Sequence, residues 1–350
     1  MTNLLEMRNV TQVFGDINKG GTVAVENLTY SISADQPTFT SVVGESGSGK
    51  TTIARILLGF QTPSLGQVLY RGHDLSKAPN SVASQFRREV QAVFQDPFEV
   101  YNPFYNVDHV LEMPINNFGL AKSKRERRKL MEEALSAVGL RPEETLGRYP
   151  HQLSGGQRQR IMVARALMLR PRIIIADEPV SMVDASLRAT ILENLLSLNR
   201  EFGISLIYIT HDLTTAYQVS EDVIVLYRGA VAEAGSADLV VQHPEHPYTR
   251  LLVSSIPLPD PDIEWEGERA LGTPVGGLTP TGKSFCRFHE RCPYAMQQCV
   301  EADPPFYLTA ERRATACYLF QQAPEAPAGD LNAVLSSEPA DTAKVVAAGD

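Results

Sequence analysis

GESGSGKT, residues 44–51, is the stretch on which the fold turns. It fits the pattern G-x-x-x-x-G-K-S/T, follows the strand-like run FTSVV at residues 39–43, and opens a helix-like run over residues 50–60. That strand-loop-helix context is where a glycine-rich loop cradles phosphates. The glycines let successive backbone N–H groups face one anion, the helix N-terminus adds partial positive charge, and Lys50 brings a full charge to the β and γ phosphates of a nucleotide. Thr51 is placed to hold Mg2+ by its hydroxyl. A plain glycine-rich turn is the competing reading, and both flanking elements argue against it.

Working outward, Leu5, Met7, Val10 and Val13 alternate as in a strand. From residue 82 to 139 the sequence turns helical and charged. KSKRERRK at residues 122–129 could bind nucleic acid, but Glu126 interrupts it and Leu130, Ala134, Leu135 and Val138 follow at helical spacing, which predicts a solvated helix face. The apolar runs at 173–176 and 204–210 each end in a polar pair and lead into helix-like sequence. That rhythm predicts an α/β fold with a parallel sheet and crossover helices. In RIIIADEP, residues 172–179, two carboxylates close a buried strand. Asp177 can hold a water of the Mg2+ shell and Glu178 can take a proton from attacking water; a solvated loop acid or helix cap is the plainer alternative.

Among 350 residues, 43% are apolar, enough for a full-sized core and a small extension. The balance of 32 basic and 41 acidic side chains gives a net charge of −9, which disfavours a general nucleic-acid binder. No apolar run approaches the roughly 20 residues needed to cross a bilayer. The opening MTNLLEMRNV has no basic region, apolar stretch and cleavage site in succession, which predicts a cytoplasmic chain. In that reducing compartment Cys286, Cys292, Cys299 and Cys317 are not expected to form disulfides. After about Ser255 the sequence becomes rich in Pro, Gly and Thr, the mark of a linker into the cysteine segment. Residues 321–350 lack aromatics and are rich in Ala, Pro and acidic side chains, so they are expected to be a disordered tail.

LSGGQ at residues 153–157, followed by RQRIMVARAL, would alone read as a serine-capped helix. In order with the phosphate loop, VFQDP around Gln95, the Asp-Glu strand and ITHD around His211, it resembles the ATP-binding cassette (ABC) family. The resemblance implies an ABC nucleotide-binding domain over 1–255 with an inserted helical subdomain at about 90–165, a cysteine-bearing extension over 256–320, and ATP hydrolysis between two such domains. Gly44, Glu45, Ser46, Gly47, Ser48, Gly49, Lys50, Thr51 and Thr52 would then hold this chain's ATP. Ser154, Gly155, Gly156 and Gln157 would contact the nucleotide of a second ATPase subunit. By motif, Gln95 reaches Mg2+ and the attacking water, His211 contacts the γ phosphate, and Asp184, in SMVD, communicates across the dimer. The family more often has Ala-Leu where this chain has Met182 and Val183. Phe14 fits the aromatic that stacks on adenine, or else a core residue of the first strand.

RYPHQLSGGQRQRIMVARAL (148–167), FQDPFEVYNP (94–103), DEPVSMVDAS (177–186) and HPEHPYTRLL (243–252) look like the ATPases of dipeptide and oligopeptide importers, whose relatives also carry oligosaccharides. That implies a peripheral subunit on the cytoplasmic face of the inner membrane. Its partners would be two permease subunits, an extracytoplasmic solute-binding protein, and a second ABC ATPase, either a paralogue or another copy. A soluble ABC ATPase acting on nucleic acid is the alternative. The cysteines, spaced C-x5-C-x6-C-x17-C, resemble the importer family's cysteine segment. They fit a zinc knuckle poorly, because knuckles pair cysteines roughly two to four residues apart. The resemblance implies a 4Fe-4S cluster, with zinc or free thiols as alternatives. Phe285 stands where the family commonly has glycine.

Overall fold

The computed structural model describes residues 3–16, 20–94, 101–181, 183, 185–256, 274–280, 284–327 and 329–335. In chain order the strands are β1 (Asn3–Phe14), β2 (Thr22–Ser33), β3 (Phe39–Val43), β4 (Leu65–Tyr70), β5 (His73–Asp74), β6 (Val90–Val93) and β7 (Ile173–Asp177). There follow β8 (Ser205–Thr210), β9 (Asp222–Tyr227), β10 (Ala230–Ser236), β11 (Phe306–Ala310), β12 (Arg313–Thr315) and β13 (Glu325–Ala326). An antiparallel sheet runs β2-β1-β4-β5, and a larger one runs β13-β11-β12-β10-β9-β3-β8-β7-β6.

In the larger sheet β9, β3, β8, β7 and β6 are parallel. β3, β8 and β9 bury every residue. This is why those segments read as unbroken apolar runs instead of alternating ones: helices cover both faces of a parallel sheet. Ile173, Ile174 and Ile175 are each almost fully buried, and burying an aliphatic side chain of that size stabilises by about 1.5–3 kcal/mol. Register then decides the site. Val43 lies opposite Thr210 and Ile209 opposite Asp177, so residues 44, 178 and 211 leave the sheet side by side at its carboxyl end. Open α/β sheets bind ligands at that end.

Helices Asp108–Phe118, Lys124–Ala137 and Gly155–Leu167 form a second layer around Leu111, Ile115, Met131, Leu135 and Ile161. The charged run at 122–129 lies along the outer side of the middle helix. Ser123 caps that helix reciprocally with Glu126, and Arg128 pairs with Glu132 at 2.6 Å on its exposed face. The expectation that residues 82–139 are helical is corrected at β6, and the first helix of this layer begins at Asp108. VQAV is too short to display a strand period, but it pairs in parallel with β7 residue for residue.

The C-terminal residues also differ from expectation. β12 pairs with β10 and β11 with β12, so the extension lengthens the main sheet instead of standing apart. The expected tail is ordered over residues 321–327 and 329–335. β13 adds to β11, Leu331 and Val334 are fully buried, and Asn332 Oδ1 accepts from the Ser31 N–H at 2.8 Å. Such a segment cannot build a core of its own, but it orders by completing one that already exists. Residues 336–350 lie outside the described residues. Among the described residues no helix is long and apolar enough to cross a membrane.

Candidate active site

The phosphate loop is held open by glycine. Gly49, the residue before helix Lys50–Leu57, has φ 108, and a Cβ there would overlap the Ala24 carbonyl oxygen. A Cβ on Gly44 would overlap the Leu226 carbonyl in the same way. No side chain caps this helix, so its first N–H groups face the cleft as anion donors. Lys50 is buried, with Nζ donating to the Gly44 and Glu45 carbonyls at 2.7 and 2.8 Å. Burial pushes its pKa down, and the Glu178, Asp177 and Glu45 carboxylates pull it back up. Ser48 braces the loop from behind, its carbonyl accepting from the Gly229 N–H at 2.9 Å.

Asp177 ends β7 with Oδ1 buried and lacking a hydrogen-bond partner. Burial pushes its pKa up, opposed by a hydrogen bond with Thr51 and the charges of Lys50 and Arg55. A buried carboxylate oxygen without a partner, beside a threonine hydroxyl, is the hard-oxygen donor set that Mg2+ prefers. The residues therefore fit the ion. Glu178 adopts φ 45, a left-handed conformation costly for a side-chain-bearing residue. Its N–H donates to the Ile209 carbonyl at 2.8 Å, and its Oε1 lies 3.0 Å from His211 Nδ1. Strain here turns the carboxylate toward the phosphate loop, because an extended residue 178 would continue the direction of β7.

Gly44, Glu45, Lys50, Glu178 and His211 share a cleft of about 830 Å³, lined also by Phe14, Thr22, Ala24, Thr51, Thr52 and Leu252. Phe14 is half exposed at the end of β1, so it is a cleft wall and not a core side chain. Gln95 and Asp184 lie outside the described residues. Ser154 stands elsewhere: it caps helix Gly155–Leu167, its Oγ accepting from the Gln157 N–H at 3.2 Å while Gln157 Oε1 accepts from the Ser154 N–H at 3.0 Å. Ser154 is exposed, and none of Ser154, Gly155, Gly156 and Gln157 lines the cleft of its own chain.

Cys286, Cys292, Cys299 and Cys317 all line one small cavity with His246, His289 and Met296. Burial pushes the Cys286 and Cys317 thiols up to about 12 and raises Cys292 as well. The backbone at Phe288, Tyr294 and Leu319 pulls the Cys286, Cys292 and Cys317 thiols partway back down, and the Met296 N–H donates to Cys299 Sγ at 3.5 Å. Among the described residues, no three His, Cys, Asp or Glu side chains are grouped so as to hold a single metal ion.

Motif reading missed two neighbours of the phosphate loop. Arg291 and Tyr248 both bond Glu45, one through the carboxylate and one through the backbone N–H. Both lie in stretches that resembled importer sequences without an assigned role, HPEHPYTRLL and CRFHERCPYAMQQC.

Fold and cleft together define a P-loop ATPase, built to place a nucleotide's phosphates against a carboxylate and a histidine. The family model for ABC transporters matches residues 25–181, and that for the oligopeptide/dipeptide transporter C-terminal region matches 232–299. A probable peptide ABC transporter ATP-binding protein of Sinorhizobium fredii is 40% identical, over 90% of this chain and 87% of that protein. A di/tripeptide transport ATP-binding protein of Pseudomonas aeruginosa is 38% identical, over 85% of this chain and 90% of its own length. A dimeric ATP-binding cassette solved in a post-hydrolysis state with ADP and phosphate superposes with a TM-score of 0.58 at 30% identity, covering 67% of this chain and 98% of that one. The chain belongs to the ABC transporter family, among the ATP-binding proteins with the oligopeptide/dipeptide C-terminal region, and it is an ATPase.

Proposed function

We propose that this chain is the ATP-hydrolysing subunit of a peptide importer and that its catalytic site closes only against a second cassette. The carrying observation is the division of the site. The phosphate loop, Glu178 and His211 share one cleft, while Ser154, exposed at the start of the helix it caps, lies outside it.

Lys50 and the N–H groups opening helix Lys50–Leu57 bind the β and γ phosphates. Thr51 and Asp177 would hold Mg2+, with Gln95 joining them by motif; the bound ion neutralises charge on the phosphate oxygens. Glu178 accepts the proton of the attacking water. His211, within hydrogen-bond distance of Glu178, orients that carboxylate and lies beside the developing charge. Phe14 stacks on the adenine. Ser154, Gly155, Gly156 and Gln157 of one subunit reach the γ phosphate held by the other, and Asp184 communicates between the two.

The names of the relatives support peptides as cargo ahead of oligosaccharides. Two permease subunits, an extracytoplasmic solute-binding protein and a second ATPase complete the importer, with this chain peripheral on the cytoplasmic face of the inner membrane. Purification from native membranes is expected to bring down permeases and a peptide. A chain that comes without permeases, and whose ATPase rises on DNA, overturns the reading.

For the cysteines we assign a 4Fe-4S cluster ahead of zinc. Four sulfurs share one cavity, and Cys299 Sγ receives the Met296 N–H. Buried thiols gathered this way ionise only when a cationic centre compensates them. Anaerobic purification is expected to yield brown protein with iron and acid-labile sulfide; zinc alone contradicts the assignment.

A further inference from the structure

Glu45 puts a carboxylate in the loop that must receive a polyphosphate, and it lines the cleft. Left uncompensated, that charge opposes the ligand. Arg291, which immediately precedes Cys292, covers it: Nη1 lies 3.0 Å from both Glu45 oxygens. The guanidinium is itself held over two rings, 5.9 Å from the centre of Tyr227 and 5.7 Å from that of Phe288. Those rings pack with Tyr248 into one block, with centroid separations of 4.5 to 5.6 Å. Tyr248, fully buried, accepts the Glu45 N–H on its hydroxyl at 2.9 Å. Both ends of Glu45, side chain and backbone, are therefore fixed from the C-terminal part of the chain. The short turn His289–Arg291, closed by the Arg291 N–H to the Phe288 carbonyl at 3.0 Å, sets where the guanidinium points.

We propose that Arg291 is a positioning residue for ATP: carried by the cysteine segment, it neutralises Glu45 inside the phosphate loop and so raises the cleft's affinity for the nucleotide. The proposal rests on the cleft being the ATP site. Its mark is a rescue. A residue that merely props up the fold cannot be replaced by deleting a charge elsewhere, whereas a counter-charge becomes dispensable once the charge it balances is gone.

The test is ATP affinity of the full chain with Mg2+, measured by titration calorimetry. Arg291→Gln is expected to weaken binding about five- to tenfold. Adding Glu45→Gln in the same chain is expected to bring affinity back to within about twofold of the parent. Arg291→Lys keeps the charge but not the two-oxygen contact and should fall between. The Arg291→Gln penalty should shrink between about 50 mM and about 500 mM salt, as a charge effect must. Unchanged affinity in Arg291→Gln overturns the proposal. So does a double variant as weak as the single one, or a penalty independent of salt. Should Arg291→Gln not fold, Arg291→Lys with and without Glu45→Gln reads the same coupling, and additivity there overturns it. Lys50→Ala separates the two levels: if it binds ATP like the parent, the ATP site itself is misplaced.

Discussion

Two helices of this chain begin at glycine-bearing loops, and their N-termini are furnished in opposite ways. Helix Lys50–Leu57 starts from Gly49 with no side-chain cap, a buried lysine as its first residue, and a cleft in front of it. Helix Gly155–Leu167 starts from Ser154 with a complete reciprocal cap, and Ser154 is exposed and outside the phosphate-loop cleft. An uncapped N-terminus leaves donors for an anion, so the first is a site in its own right. In the second, Ser154 Oγ accepts the Gln157 N–H with one lone pair and keeps its hydroxyl proton to donate. The cap fixes the direction of that donor without consuming it. The contrast teaches that one terminus binds nucleotide alone and the other waits for nucleotide held elsewhere.

The comparison can be broken at either end, and the largest effect is expected at the carboxylate between them. Glu178→Gln should lower turnover by about 10³-fold while ATP binding persists, read as phosphate release against calorimetric affinity. It should also gather ATP-bound chains into dimers, visible by light scattering; full turnover contradicts its role as base. Lys50→Ala strikes the uncapped terminus and should cost about a hundredfold in ATP affinity, since a charge-assisted bond to phosphate is lost. Phe14→Ala removes a cleft wall, and affinity should drop about tenfold together with preference for adenine over guanine nucleotides. Equal binding of both bases by the parent would remove the stacking role. Ser154→Ala should leave the isolated chain's ATP affinity unchanged. It should lower turnover and cost about 1 kcal/mol of stability through the lost cap, measured by denaturant melts.

Much of this site was legible in linear sequence because the sheet is buried on both faces. A buried strand such as β7 reads as IIIA, and the polar pair that follows it lies at the sheet's carboxyl end. The phosphate loop, Asp177 and Glu178 could thus be read from the ends of apolar runs, whereas His211 joined them only through the order of motifs that resembles the ABC family. Neither β6 nor the segment from Gln321 to Leu335 was legible. The first is too short to show a period beside a charged helix, and the second orders against surfaces built by β2, β10 and β11. Least legible was the contact between Arg291 and Glu45, which lie 246 residues apart. No local pattern marks a counter-charge; only the fold of the extension onto the main sheet brings it to the loop.

The central claim, that each cassette supplies half a site, is tested most directly by the ATPase rate per chain as a function of chain concentration. The chain is assayed alone and with its companion ATPase, beside a Ser154→Arg variant that places a bulky side chain at the exposed cap. A rate per chain that rises with concentration, and is lost in Ser154→Arg at unchanged ATP affinity, is the predicted result. A rate that is independent of concentration and untouched by Ser154→Arg would show one chain completing the site by itself, and would contradict the account.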